Sequence, residues 1–372
     1  MMGSMSTSTS PVFAVPLRTN PTQVIPLRRQ AICWLLLIAF LFPIWEQLAG
    51  SCAAEDVVTL FPKSDGDSPT QVRGTVVDFS GQTLVLQTRA GRTSIPTAKV
   101  QSIQTDYGPS YQQGLKLLAT SQSNEAVRAF EAAAAAESRP WVRREILANQ
   151  AIALHNAGRI VEAGNTFLKI VEDDPQTVHL DAIPLAWFGL PPDFERDRAA
   201  RTWLTMPSPH AQLLGASWLL GTSDRSQAIE ILGTLRRSNL PQIALLAEAQ
   251  LWQTKIVTVT ADEVAQWEKQ LAAGILRGAA LAGPTLVVGK AWRQLDNDAQ
   301  AALTLMRPPI LYPDHRPVAA ESLVQAGRSL ERSGKTEDAR RVIGEVLQKY
   351  GDQPARQEAE TTLKRLANSG SN

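Results

Sequence analysis

Cysteine is nearly missing from this sequence: Cys33 and Cys52 are the only two in 372 residues. Two thiols cannot build a disulfide framework or a thiolate metal site. An excess of one charge is missing too. Lys and Arg number 37 against 36 Asp and Glu, a net charge of +1. That balance excludes the strong basic surplus of a protein that tracks nucleic-acid phosphates. The histidines are His155, His179, His210 and His315, and they share no metal-ligand spacing. The apolar run Ala31–Phe42 stops at Pro43 and Glu46, well below the roughly 20 residues of a spanning helix. No metal and no cofactor is expected.

What is present divides the chain into zones. Residues 1–30 hold Arg18, Arg28 and Arg29 as their only charges, the run Ala31–Phe42 follows, and small residues cluster at Leu48-Ala49-Gly50-Ser51-Cys52-Ala53-Ala54. A basic start, a short apolar core and a small-residue end make a secretory signal. Residues 1–54 are therefore read as a signal peptide or an N-terminal membrane anchor. Cleavage, retention and lipidation at Cys52 all stay open, because a lipobox wants a bulky aliphatic residue where Ala49 stands. The expected location is the periplasm or cell envelope, with membrane attachment through the leader as the variant.

Residues 55–106 change character. Val57–Leu60, Val72–Phe79, Thr83–Gln87, Thr93–Pro96 and Val100–Ile103 are short β-branched runs separated by the glycine turns Ser80-Gly81 and Ala90-Gly91-Arg92. Such spacing predicts hairpins. Gly74 inside a strand, Asp78, a glycine turn, alternating leucines and a closing Ile95-Pro96 resemble Sm-like or SH3-like barrels, and a small closed barrel is the expectation. Many Sm-like barrels bind RNA. Here Phe79 is the only aromatic of the strands, and Arg73, Arg89, Arg92 and Lys99 are scattered, so no stacking platform forms. A structural or partner-docking module, with no nucleic-acid partner, is expected.

From Tyr107 to Leu366 apolar residues recur at three- and four-residue spacing, and the fold class is mainly α. Gly114, Ala126, Phe130 and Ala133 share their offsets with Ala151, Ala163, Phe167 and Ile170. The offsets recur at Ala216, Ala228, Leu232 and Leu235, and again at Gly327, Ala339, Ile343 and Val346. A small residue on one helix lets the alanine of the next approach, and the large residue fills the following layer. With Gly158 and Gly334 between helices and Pro175 at a unit's end, this pattern resembles the tetratricopeptide repeat family, and the C-terminal segment is similar to cell-envelope members of it. The resemblance implies an α-solenoid with repeats over 107–175, irregular helical repeats over 176–316, and a final repeat with a capping helix over 317–367. The spacing from Ala126 to Ala163 to Ala228 is 37 and then 65 residues, longer than the family's unit. Between Asn239 and Met306 only Ala299 and Leu303 suggest a register.

Motifs that carry chemistry are few. Gly334-Lys335-Thr336 and Gly283 to Gly289-Lys290 imitate phosphate loops without the preceding strand and first glycine. Asp65-Gly66-Asp67 lacks the remaining ligands of a calcium loop. Glu172-Asp173-Asp174 reads as a solvated turn, and the tryptophans of the helical part read as core. The function expected is a non-catalytic envelope scaffold that binds a protein or peptide partner in a helical groove. The alternative is a carbohydrate-binding or hydrolytic envelope protein with its site in the irregular middle. The repeat resemblance implies that first-helix residues line the groove. It points to Glu145, His155 and Asn156 near the N-terminal end, and to Arg328 and Arg332 near the C-terminal end. The last two stand one turn apart, where adjacent guanidinium groups can grip a carboxylate. Gly108-Pro109 marks the boundary between β and α zones, and predicts a helical part that folds without the β zone.

The leader generates the first expectation. Residues 1–60 fused to a reporter active only outside the cytoplasm confer export; retention of the full-length protein in the cytoplasm would remove the compartment assignment.

Overall fold

Each strand and helix of the computed structural model follows from local chemistry, and residues 55–62 and 68–369 are described. The leader and Asp65-Gly66-Asp67 lie outside the described residues. From Glu55 onward the chain forms one compact unit. No helix among the described residues is long and apolar enough to cross a membrane.

Five strands form an antiparallel sheet: β1 (Asp56–Leu60), β2 (Thr70–Phe79), β3 (Thr83–Thr88), β4 (Gly91–Pro96) and β5 (Val100–Gln104). Their order is β4-β3-β2-β1-β5. The sheet stays open, with β4 and β5 as its edges, so the closed barrel expected from the turns is not what forms. Gly74 is required because β3 passes close by: a Cβ there would run into the Gln87 carbonyl. The register of β2 against β3 slips between Val76 and Asp78, and the Val76 amide is taken up by the buried Asp56 carboxylate at 2.7 Å. A bulge of this kind bends the sheet.

The helices are α1 (Pro109–Ala119), α2 (Ser123–Ala136), α3 (Pro140–Asn156), α4 (Ile160–Asp173), α5 (Phe194–Thr205), α6 (Pro209–Leu219), α7 (Arg225–Leu235), α8 (Pro241–Lys255), α9 (Ala261–Ala272), α10 (Ala282–Gln294), α11 (Asp298–Leu305), α12 (Arg307–Leu311), α13 (Arg316–Arg332), α14 (Thr336–Lys349) and α15 (Ala355–Ser369). Proline opens several of them, at Pro109, Pro140, Pro209 and Pro241, where the missing amide costs nothing and φ is already helical.

Four hairpins share one geometry. The pairs α1–α2, α3–α4, α10–α11 and α13–α14 are each joined by three residues, the middle one left-handed: Ser121 (φ 65), Gly158 (φ 75), Asp296 (φ 56) and Gly334 (φ 75). At each turn two amides reach back to the last carbonyls of the first helix, as Arg159 N to Leu154 O at 2.9 Å and Gly158 N to His155 O at 3.0 Å. This is the C-terminal closure that a left-handed residue permits. Seven residues before each turn residue a small side chain faces a large one. A Cβ on Gly114 would lie 2.5 Å from Phe130, one on Gly289 2.5 Å from Leu305, and one on Gly327 would overlap Ile343. The register in the middle of the chain is therefore Gly289, Ala301 and Leu305. It is not Ala299 and Leu303, which face water, Leu303 at 67% exposure. Ala216, Ala228 and Leu232 are fully buried as expected, but no left-handed residue joins α6 to α7.

The sheet is not separable from the helices. Val58, Val76, Leu84 and Leu86 share a single apolar cluster with Tyr111, Phe130, Trp141 and Ile146. Trp141 Nε1 donates to the Val76 carbonyl at 3.1 Å, and Arg144 pairs with Asp78 at 2.6 Å. The Gly81 amide donates to Asp174 Oδ2 at 2.9 Å, so Asp174 is a buried anchor of the sheet rather than part of a solvated turn. A chain beginning at Gly108 exposes Trp141 and leaves the Arg144 charge unpaired. This shared core argues against a helical part that folds alone. In such a truncation hydrogen exchange in α1–α3 rises to unfolded-chain rates while α13–α14 stay protected; full protection in α1–α3 would contradict the shared core.

Candidate functional site

The two ends of the helical array meet at the C-terminus of α3. Asn156, buried there, donates from Nδ2 to the Asp314 carbonyl at 2.7 Å and accepts from the Arg316 amide at 3.2 Å. Its own carbonyl accepts from Gln353 Nε2 at 3.0 Å. The buried Arg316 guanidinium ties the same seam. It donates to the Lys349 carbonyl at 2.8 Å, pairs with Asp352, bonds the Ser121 hydroxyl, and lies 5.1 Å over the Tyr350 ring. A planar five-donor group suits such divergent acceptors.

Beside this seam opens a cleft of about 890 Å³, within the size range of ligand sites. Its walls are the α3–α4 turn, the irregular segment between α4 and α5, and the turn between α14 and α15. Leu185, Trp187, Phe188, Leu190 and Trp218 supply apolar lining. The irregular segment is held in place from behind. The Trp187 ring lies so close to α10 that a Cβ at Gly283 would overlap it, and Trp218 Nε1 donates to the Pro184 carbonyl at 2.8 Å. Charges line the rim in pairs: Arg159 with Glu162 at 2.7 Å and Arg356 with Glu360 at 2.7 Å.

His155 and Asn156 both line this cleft. Behind it His155, His315 and Asp181 line a smaller internal space. Burial, with a lesser push from His315, drives His155 down to about 3. Burial likewise lowers His315 and His179, opposed by the Asp181 carboxylate. His210, buried in the helical core, is lowered by burial to about 4, so all four histidines are held below their ordinary value, which their lack of spacing did not reveal. Among the described residues no group of three metal-ligating side chains comes together.

The remaining groove residues sit elsewhere. Glu145 accepts hydrogen bonds from the Tyr107 hydroxyl at 2.8 Å and the Tyr111 hydroxyl at 2.9 Å, bracing the junction of sheet and helices. Both tyrosine hydroxyls are pushed up, first by burial and then by the Glu145 charge. Arg328 pairs with Glu358 at 2.6 Å. Arg332 pairs with Asp296 and with Asp298, the latter at 3.2 Å. The two guanidiniums therefore answer separate carboxylates of their own chain, and Glu331 is engaged by Arg365 at 2.5 Å. Neither Arg328 nor Arg332 lines the cleft. Sequence reasoning missed Arg316, Gln353 and the lining Phe188 and Leu190. The available signal was the long interval between repeat units, filled by Pro184, Pro191 and Pro192 around Trp187-Phe188.

No protein-family model matches the chain, and no curated protein sequence matches it.

The buried histidines set a pH dependence. A histidine whose folded pKa lies below its ordinary value binds fewer protons folded than unfolded, so stability falls as pH drops from about 6.5 towards 3. The melting temperature is expected to decline across that window. Replacing His155→Leu and His315→Leu together makes the decline shallower, with His179 and His210 carrying the remainder; an unchanged slope would show that His155 and His315 do not contribute.

Proposed function

We propose that the protein is a non-catalytic scaffold of the cell envelope, built as an irregular array of tetratricopeptide type behind a small Sm-like or SH3-like β module. In this reading the cleft beside the seam receives an extended segment of a partner protein. The observation that carries it is the cleft itself: a large apolar-lined opening where the turns of two distant helix hairpins face one loop segment. Helical arrays bind partners on such composite surfaces. Half-buried Phe188 and Leu190 offer apolar contact there, and the fixed seam pre-orders the walls, which lowers the entropic cost of binding. Two of the groove residues implied by the repeat resemblance, His155 and Asn156, border the same opening. The basic start, short apolar run and small-residue end of residues 1–54 support an envelope location for it.

The second reading, a saccharide-binding or hydrolytic site in the irregular middle, draws on Trp187 and Trp218 standing near Asp193 and Glu195. These rings are only 6% and 7% exposed, so they present little stacking face to a sugar.

The test is copurification from solubilised envelopes. Tagged protein retains one stoichiometric partner, Phe188→Glu with Leu190→Glu releases it, and the melting temperature stays unchanged. Arg328→Ala with Arg332→Ala, remote from the cleft, leaves the partner bound. Retention by the cleft variant, or turnover of a saccharide lost on Asp193→Asn and Glu195→Gln, would overturn the scaffold reading.

A further inference from the structure

We infer that the exposed face of α11 and α12, with the groove beside it, docks on a membrane leaflet that carries anionic lipids. Nothing in this depends on the cleft. α11 runs into α12 through Met306, which keeps helical backbone angles (φ −75°, ψ −15°). Along this path Leu303, Arg307, Ile310 and Leu311 follow the three- and four-residue spacing of one helical side. All four are exposed, Leu303 at 67% and Ile310 at 66%. Ala301, Ala302, Thr304, Leu305 and Pro308, between them in the chain, are buried. A single exposed leucine is ordinary on a protein surface, whereas three large aliphatic side chains along one side of a helical path form a patch.

Two further observations say what covers that patch. The first is charge. Arg307 stands inside the row, and among the described residues its guanidinium has no ion pair and no hydrogen bond. An uncommitted cation set among apolar side chains suits an anionic headgroup layer lying over hydrocarbon, because the long stem stays with the apolar residues while the charge reaches the headgroups.

The second is a groove of about 220 Å³ that Arg307 and Leu311 line together with Leu271, Leu281 and Val288. It is smaller than the roughly 300–1,000 Å³ of a site that engulfs a ligand, so it takes one part of a molecule that lies mostly outside. Thr304 lines the groove too. It is only 1% exposed, and its hydroxyl has no hydrogen-bond partner. A buried hydroxyl left in that state costs free energy, which an acceptor from outside the chain restores. The acyl end of a lipid brings apolar filling and an ester oxygen together, with its phosphate beyond them for Arg307. Glu268, the carboxylate in the lining, is already engaged by Trp292 Nε1 at 3.0 Å. A two-fold contact between copies through the same row would instead gather two unanswered Arg307 charges.

Hydrogen exchange of the full chain, read over residues 298–312 with and without vesicles, tests this surface locally, so a contact made by the leader stays out of the reading. Vesicles of phosphatidylglycerol mixed equally with phosphatidylcholine are expected to slow exchange there about threefold or more, and phosphatidylcholine alone to slow it less. Leu303→Glu with Ile310→Glu abolishes the slowing and leaves the melting temperature unchanged. Arg307→Gln keeps the apolar row and removes the difference between the two vesicles, as does salt raised to about 500 mM. Exchange that ignores both vesicles, or that responds equally to both in the unsubstituted protein, would overturn the assignment. Slowing by higher protein concentration without lipid would overturn it in favour of a second copy.

Discussion

Asn156 bears the constraint on which the cleft depends. One buried side-chain amide donates and accepts across the seam, while its backbone carbonyl holds Gln353. A buried amide left without partners costs on the order of 1–3 kcal/mol, so Asn156 stabilises only one arrangement of the two ends. Arg316 makes the arrangement stricter, since a buried guanidinium without Asp352 and its carbonyl partner would be an uncompensated charge. The seam brings the α14–α15 turn against the α3–α4 turn. Without it the cleft has one wall fewer.

The sheet plays a comparable part at the other face of α3. Trp141 and Arg144 reach into the sheet from the same helix whose last residue is Asn156. Glu145, next to Arg144 in the chain, holds Tyr107 and Tyr111. One helix thus carries the anchor of the sheet, the brace of the junction and the centre of the seam. Its burial all round, with Ala148, Ala151 and Ala153 letting neighbours approach, matches that position.

Much of this was legible in the residues, and the gaps have physical causes. The strands were readable because β-branched alternation and glycine turns are local signals, but whether β4 and β5 meet is decided by the bend of the whole sheet. The hairpins at Gly158 and Gly334 were readable because glycine advertises a left-handed turn. Those at Ser121 and Asp296 adopt the same φ with ordinary side chains, and so gave no signal; Asp296 hid the register of Gly289 and Leu305. Arg328 and Arg332 looked like a clamp because helical spacing sets two residues on one face. The carboxylates that occupy them come from Glu358, Asp296 and Asp298, on other elements. Asn156 stood out only as a groove residue, since nothing in its neighbourhood announces a partner 158 to 197 positions away.

That separation has a kinetic side. Each of the four shared hairpins closes over three residues, while the seam closes a loop of roughly half the chain. Closure entropy grows with loop length, and contacts between distant residues form late. The hairpins therefore assemble first, each against its neighbour, and the ring is shut afterwards by Asn156, Arg316 and Gln353. The cleft is then the last feature of the molecule to exist during folding and the first to be lost when the ring springs open. Exchange of the Arg316 amide, which donates to Asn156 across the seam, reports that opening without unfolding of a single helix.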